Sequence, residues 1–188
     1  YYVVHQQSAS QTLPTTNNQT QTTPQSNKQT SATTGNFTRP AIAGGFGAGY
    51  ALKSDGTDWA WGGNTLGQLG NNSTISSKVP VQVSGLTGVT AISSGGESGY
   101  ALKSDGTVWA WGYNEYGQLG NDSKIASRVP VKVSGLTGVV AIEGGNNNAY
   151  AIKADGTVWA WGSNNNGKLG NNSTTGSSVP VQVSGLTG

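Results

Sequence analysis

The sequence predicts an all-β chain built from repeated four-stranded antiparallel sheets, the blades of a β-propeller. The first observation is a strict period. Tyr50-Ala-Leu-Lys-Ser-Asp-Gly-Thr57 returns as Tyr100-Ala-Leu-Lys-Ser-Asp-Gly-Thr107 and as Tyr150-Ala-Ile-Lys-Ala-Asp-Gly-Thr157, each 50 residues on. A fixed period of this size marks a solenoid, an array or a propeller. The second is short, β-prone apolar runs punctuated by Gly, Asn and Asp, with no helical periodicity. The third is Asp-Gly between two such runs, the strongest local hairpin signal, because Gly supplies the positive φ of a tight turn.

Three complete units run over 39–88, 89–138 and 139–188. In the second unit Val89-Thr-Ala-Ile92 reads as a first strand, stopped by Ser94-Gly95-Gly96. Tyr100-Ala-Leu-Lys103 is the second strand and Thr107-Val-Trp-Ala-Trp111 the third, with Asp105-Gly106 between them. Val131-Lys-Val133, entered through Pro130, is the fourth; proline there suits a strand start or a sheet edge. Along the third strand Trp109 and Trp111 point to one face, Val108 and Ala110 to the other. Both faces are apolar, so the sheet is covered on both sides, as in stacked blades. Propellers close with about four to eight blades. Three units therefore predict either a longer protein or several chains completing one assembly. The absence of any Met likewise predicts a processed product or a fragment.

Residues 8–38 are almost wholly Gln, Thr, Asn, Ser and Pro, with Lys28 the one charge. Such a segment buries too little apolar surface to offset its ordering entropy and reads as a solvated linker. Taken as flexible, it reaches roughly 30 Å. Residues 1–7 precede it with a β-prone run, in which Tyr2, Val3 and Val4 form a candidate assembly strand for a sheet edge.

Composition excludes several kinds of chemistry. Zero Cys rules out a disulfide scaffold, thiol catalysis and cysteine-ligated metal. The ten Lys and Arg are scattered singly and the net charge is only +2, which gives no basic stripe for nucleic acid. No apolar run is long enough to span a membrane. His5 is the only histidine and lies outside the repeats. Asp55, Asp105 and Asp155 recur because the hairpin wants Asp-Gly, and no second carboxylate recurs beside them. Glu97, Glu115, Asp122 and Glu143 occur once each among aligned positions and read as loop-solvating groups. The Gly44-Gly45 pair and its equivalents precede no Gly-Lys-Ser/Thr and open no helix, so they form no phosphate loop. The paired tryptophans could stack a sugar or a base; their place in strands apolar on both faces favours core packing. No catalytic, metal or cofactor site is expected.

What varies between units is loop sequence. Phe46-Gly-Ala-Gly49 aligns with Gly96-Glu-Ser-Gly99 and Asn146-Asn-Asn-Ala149. Gly63-Asn-Thr-Leu66 aligns with Tyr113-Asn-Glu-Tyr116 and Ser163-Asn-Asn-Asn166, and Asn71–Lys78 with Asn121–Arg128 and Asn171–Ser178. Constant frames with variable loops are how repeat scaffolds present binding surface. Phe46, Leu66, Tyr113, Glu115 and Tyr116 are the candidate partner-binding residues, with Tyr favoured as an interface anchor. Asn18, Asn36, Asn72, Asn121 and Asn172 fit the N-glycosylation pattern.

The run Gly99-Tyr-Ala-Leu-Lys-Ser-Asp-Gly-Thr-Val-Trp-Ala-Trp-Gly112, then Asn114, Gly117-Gln-Leu-Gly120 and Val129-Pro130, resembles the repeat of the regulator of chromosome condensation family. The resemblance covers 39–188 three times over and is closest to prokaryotic, surface-associated members. It implies a β-propeller, usually of seven blades. The family's usual His before the Ala-Leu strand is missing, with Ala48, Ser98 and Asn148 near its place, so no exchange-factor residue carries over. The expected function is a non-enzymatic scaffold, secreted or at the cell surface, that binds protein, including other copies of itself in a ring or filament. The alternatives are a propeller inhibitor or adhesin gripping one protein or glycan and, more remotely, a glycan-active enzyme.

Overall fold

The computed structural model describes residues 38–186. The candidate assembly strand Tyr2-Val3-Val4, the linker up to residue 37, Asn18 and Asn36 lie outside the described residues.

Three four-stranded antiparallel sheets follow one another along the chain. The first contains β1 (Ala41–Gly44), β2 (Ala48–Leu52), β3 (Asp58–Gly62) and β4 (Ser77–Gln82). The second contains β5 (Val89–Gly95), β6 (Ser98–Lys103), β7 (Val108–Gly112) and β8 (Ser127–Lys132). The third contains β9 (Val139–Gly144), β10 (Asn148–Lys153), β11 (Val158–Gly162) and β12 (Ser177–Gln182). Each strand pairs with its neighbour in sequence, so every sheet is a simple meander. A single short 3-10 turn, Asn165–Gly167, is the one helical element among the described residues.

Local chemistry sets each hairpin. Tyr100 pairs with Ala110 and Leu102 with Val108, which leaves Asp105-Gly106 at the tip. Gly106 sits at φ +73°, the conformation for which its missing Cβ is needed. Asp105 Oδ1 accepts from the Thr107 N–H at 3.0 Å and from the Thr107 hydroxyl at 2.6 Å, closing the turn. The fourth strand begins earlier than the sequence reading places it: Pro130 lies inside β8, not at its entrance. Ala110 pairs with Val131 but Gly112 pairs with Ser127, so β8 bulges between them. A proline is tolerated at such a bulge on an outer strand because no ladder bond is asked of its nitrogen.

The two faces of each third strand feed two different cores. Val108 and Ala110 pack with Tyr100, Leu119 and Val133 against Ala149, Ala151 and Trp161 of the third sheet. Trp111, on the opposite face, packs with Val89 and Ala101 against Tyr50, Leu52 and Leu69 of the first. Side-by-side sheets sharing cores in this way are propeller blades. The first strands face the neighbouring blades: β5 lies against both β1 and β9. Their glycines permit it, since a Cβ on Gly95 would stand 2.0 Å from the Gly145 carbonyl oxygen.

Candidate functional site

Two sets of variable loops share one end of the blades. The exit from each third strand is hydrogen-bonded to the first turn of the same blade: Gly63 N–H to Gly47 O at 2.7 Å, Tyr113 N–H to Glu97 O at 3.1 Å, Ser163 N–H to Asn147 O at 2.8 Å. Between blades the Phe46 N–H donates to the Gly96 carbonyl at 2.7 Å. These turns surround a depression of about 290 Å³ lined by Phe46, Gly96, Glu97, Asn146 and Asn147, with residues from all three blades. Phe46 is 87% exposed there.

Beside it stands the aromatic pair expected from the sequence. Tyr113 and Tyr116 meet edge to face with ring centroids 6.1 Å apart. The Tyr113 hydroxyl donates to the Glu115 carboxylate. That bond, with lesser contributions from the charges of Glu115 and Glu97, pushes the Tyr113 phenol up to about 12. Glu143, on β9 next to the first turn of the third blade, accepts from the Ser93 hydroxyl at 3.2 Å. Glu97, which read as loop solvation in the sequence, and Glu115, which was also a candidate partner-binding residue, thus stand with the aromatics at this end. Leu66 is half-buried in the corresponding loop of the first blade and does not line the depression.

The opposite end carries the Asp-Gly hairpins and is neutralised within each blade. Lys53, Lys103 and Lys153 lie 3.0, 3.8 and 3.1 Å from Asp55, Asp105 and Asp155. The same lysines sit over Trp59, Trp109 and Trp159 at 5.6 to 5.8 Å from the ring centroids. Hydrogen bonds from Thr57 hold the Asp55 carboxyl down to about 2, and Asp155 is held likewise by Thr157. Trp111 and Trp161 are fully buried and offer no stacking face. Among the described residues no three His, Cys, Asp or Glu side chains gather as a metal site, and no helix is long and apolar enough to cross a membrane.

Of the glycosylation candidates, Asn72 and Asn172 are exposed in left-handed turns. Asn121 is half-buried and its side-chain oxygen accepts from Asn114 at 3.2 Å. One residue escaped the sequence reading altogether. Asp58 stands where the other blades have Val108 and Val158, is 3% exposed, and its carboxyl oxygens have no hydrogen-bond partner among the described residues. Burial pushes its carboxyl up to about 7. Comparing position 58 across the three units would have found it.

Known proteins place this geometry. No curated protein sequence matches the chain significantly. Among solved structures, yeast RCC1 (Prp20) in its complex with Kap60 superposes with TM-score 0.66 at 19% identity, over 76% of this chain and 36% of that one. Human WBSCR16 superposes with TM-score 0.66 at 24% identity, over 78% of this chain and 40% of that one. Prp20p from Saccharomyces cerevisiae, described with its binding to Gsp1p and histones, gives TM-score 0.66 at 19% identity over 76% and 37%. This chain therefore spans well under half the length of these relatives, and the likeness concerns the fold. The family model for the regulator of chromosome condensation (RCC1) repeat matches residues 55–102, 105–152 and 155–188, and a second model of that repeat matches 89–118 and 139–168. With that repeat matched over most of the three blades, the chain belongs to the RCC1 repeat family.

Proposed function

We propose that this chain is a non-enzymatic interaction scaffold that grips a protein partner with the loops around Phe46, Glu97 and Tyr113. The carrying observation is the convergence of variable turns from three blades on one depression, with the half-buried Tyr113 and the exposed Tyr116 paired beside it. Aromatic anchors beside a concave surface are the usual seat of binding energy. The carboxylates of Glu97 and Glu115 favour a partner that presents Lys or Arg, while the hairpin end has its charges already paired. Relatives described with protein partners, Kap60, Gsp1p and histones among them, support a protein over a small molecule.

The reading includes a location outside the cell or at its surface, supported by zero Cys and Met and a Thr- and Asn-rich arm. It also includes self-association. Deleting residues 1–7 measures what the arm contributes to that. A glycan stacked on Tyr113 and Tyr116 is the second reading, since both rings are accessible.

An array of basic, neutral and acidic synthetic peptides, with a glycan array beside it, tests the proposal. Wild-type chain binds the basic peptides, and alanine at Tyr113 or Tyr116 weakens binding by about 1–2 kcal/mol each. Equal binding to basic and acidic peptides, or unchanged binding by the double variant, contradicts it. Preferential glycan capture moves the assignment to the second reading.

A further inference from the structure

We propose that the loop site continues outward across the second blade onto a basic rim bearing isoleucines, and that its partner is a protein segment with Lys or Arg at one end and an acidic, apolar stretch a few residues on. This rests on the loop reading above and gives its partner an order of charges.

Blade two collects the loop residues that break the polar, uncharged pattern. Tyr113, Glu115, Lys124, Ile125 and Arg128 stand where blade three has Ser163, Asn165, Thr174, Thr175 and Ser178. Blade two also has a neighbour on each side within the chain, since β5 lies against both β1 and β9. The exposure of its loops is therefore that of a flanked blade. Lys124 and Arg128 are both exposed, and among the described residues neither joins a salt bridge, unlike Lys53, Lys103 and Lys153. Ile125 is 79% exposed between its two neighbours, and Ile75, at the same position of blade one, is 78% exposed. One exposed isoleucine is ordinary; two on adjacent loops beside unpaired cations make a surface with a chemical preference.

Register joins this rim to the loop site. Gly95, Ser98, Gly112 and Ser127 form one row across β5, β6, β7 and β8. Glu97 immediately precedes Ser98, Tyr113 follows Gly112, and the loop with Lys124 and Ile125 leads into Ser127. All three turns thus leave the sheet at the same end. Buried Asn114, next to Tyr113, fastens the outer loop to the tyrosine turn by donating to the Ile125 carbonyl at 3.0 Å. The Ile125 N–H donates to the Ser123 hydroxyl at 3.1 Å, so both main-chain groups are held and the side chain is left outside. Blade one adds Ile75, because the Asn72 N–H donates to the Arg128 carbonyl at 2.9 Å and sets that loop beside β8. Asp122 is the one acid in these outer loops, and it accepts from the Ser178 hydroxyl of blade three at 3.4 Å.

The charges on this end therefore change sign from the centre outward, from Glu97 and Glu115 to Lys124 and Arg128. A segment lying across both must reverse its own charge along its length. A uniformly anionic partner, whether a lipid surface or a polyanion, would meet the two glutamates at the same end. The turn with Glu97 joins β5 to β6, so the outermost strand β8 lies two to three strand intervals away, about 10–14 Å at about 4.8 Å each. An extended segment covers that in about three to four residues. The basic and acidic groups of the partner are separated accordingly, with an apolar residue beside the acid for Ile125 and Ile75.

Calorimetric titration of the full 188-residue chain with four synthetic peptides tests this. One carries Arg-Lys and, about four residues on, Leu-Asp; the second replaces Leu-Asp with Gly-Ser; the third places the two pairs side by side; the fourth keeps Leu-Asp and lacks Arg-Lys. The first binds about five- to tenfold tighter than the second, the size of one rim ion pair and one partly buried apolar contact. The third loses that gain. Lys124→Gln and Ile125→Ser, checked for folding by near-ultraviolet dichroism, each shrink the ratio of the first two affinities, and together they bring it to one. A ratio of one in the wild type overturns the extension, while binding of the second peptide leaves the loop reading standing. No binding of either peptide overturns both. A gain that survives the double variant overturns the proposal, as does equal binding of the first and fourth peptides, which makes the rim a separate site. Capture on phosphatidylserine vesicles, lost in the double variant and without the peptide gain, assigns the rim to a lipid surface and also overturns it.

Discussion

Trp111 donates its indole N–H to the main-chain carbonyl of Gln68, 2.8 Å away and 43 positions earlier. The same oxygen accepts the Tyr50 hydroxyl at 3.0 Å, so one carbonyl joins the outer loop of a blade both to its own second strand and to the next blade. Replacing Trp111 with Phe keeps most of the ring but removes the bond, and costs about 1–3 kcal/mol. Trp111→Ala also opens a cavity between blades and costs about 3–5 kcal/mol. Urea denaturation monitored by dichroism reads both values; a loss below 1 kcal/mol for Trp111→Ala contradicts the role given to this joint.

Asn114 has the second structural role to test. It is fully buried; its NH2 group shares two hydrogens among Asn121 Oδ1 and the Ser123 and Ile125 carbonyls at 3.0–3.2 Å, and its Oδ1 accepts from the Leu119 N–H at 2.8 Å. Asn114→Ala strands these groups and destabilises by about 1–3 kcal/mol. Hydrogen exchange of the Leu119 amide should accelerate more than exchange in β6, which the substitution does not touch.

Asp58 gives the fold a pH dependence. Its carboxyl titrates near 7 in the folded chain against an ordinary 3.8, so the folded state holds the proton where the unfolded state has released it. Stability then falls as pH rises from about 4 and levels off above about 7. The full drop is about 4 kcal/mol at most, from 1.36 kcal/mol per pH unit. Asp58→Val, the residue type of the other blades, removes the slope and stabilises the chain at pH 8. Parallel stability profiles for wild type and variant contradict this.

Tyr113 is perturbed chiefly through the bond to Glu115. Glu115→Ala removes the acceptor and its charge, and the phenol returns toward its usual value near 10. Ring-proton chemical shifts followed across pH 9–12 report it. An unmoved titration shows that the bond is not formed in solution.

How much the sequence disclosed depended on whether a feature was local. Asp105-Gly106 wrote its own hairpin, and the Trp-Ala-Trp alternation announced a strand covered on both faces. The partner of Trp111 was not legible, because the indole crosses to a loop in another blade and no local pattern encodes how blades are set against each other. For the same reason the variable loops could be named, but not their convergence around Phe46 and Glu97. Pro130 fits the sheet edge that the sequence allowed, since β8 is the outermost strand of its sheet, but the strand's start at Ser127 was not legible, because the bulge opposite Trp111 is set by pairing with β7. Asp58 was hidden by the strength of the repeat itself, which drew the eye to what recurs.

Backbone amide shifts of labelled chain, titrated with a Lys- and Arg-rich peptide selected from the array, test the central claim most directly. The account predicts that shifts concentrate at residues 46–47, 96–98, 113–116 and 146–147, and that added salt weakens them. Shifts concentrated instead on the Asp105-Gly106 hairpin and its two equivalents, or spread evenly over the blades, contradict it.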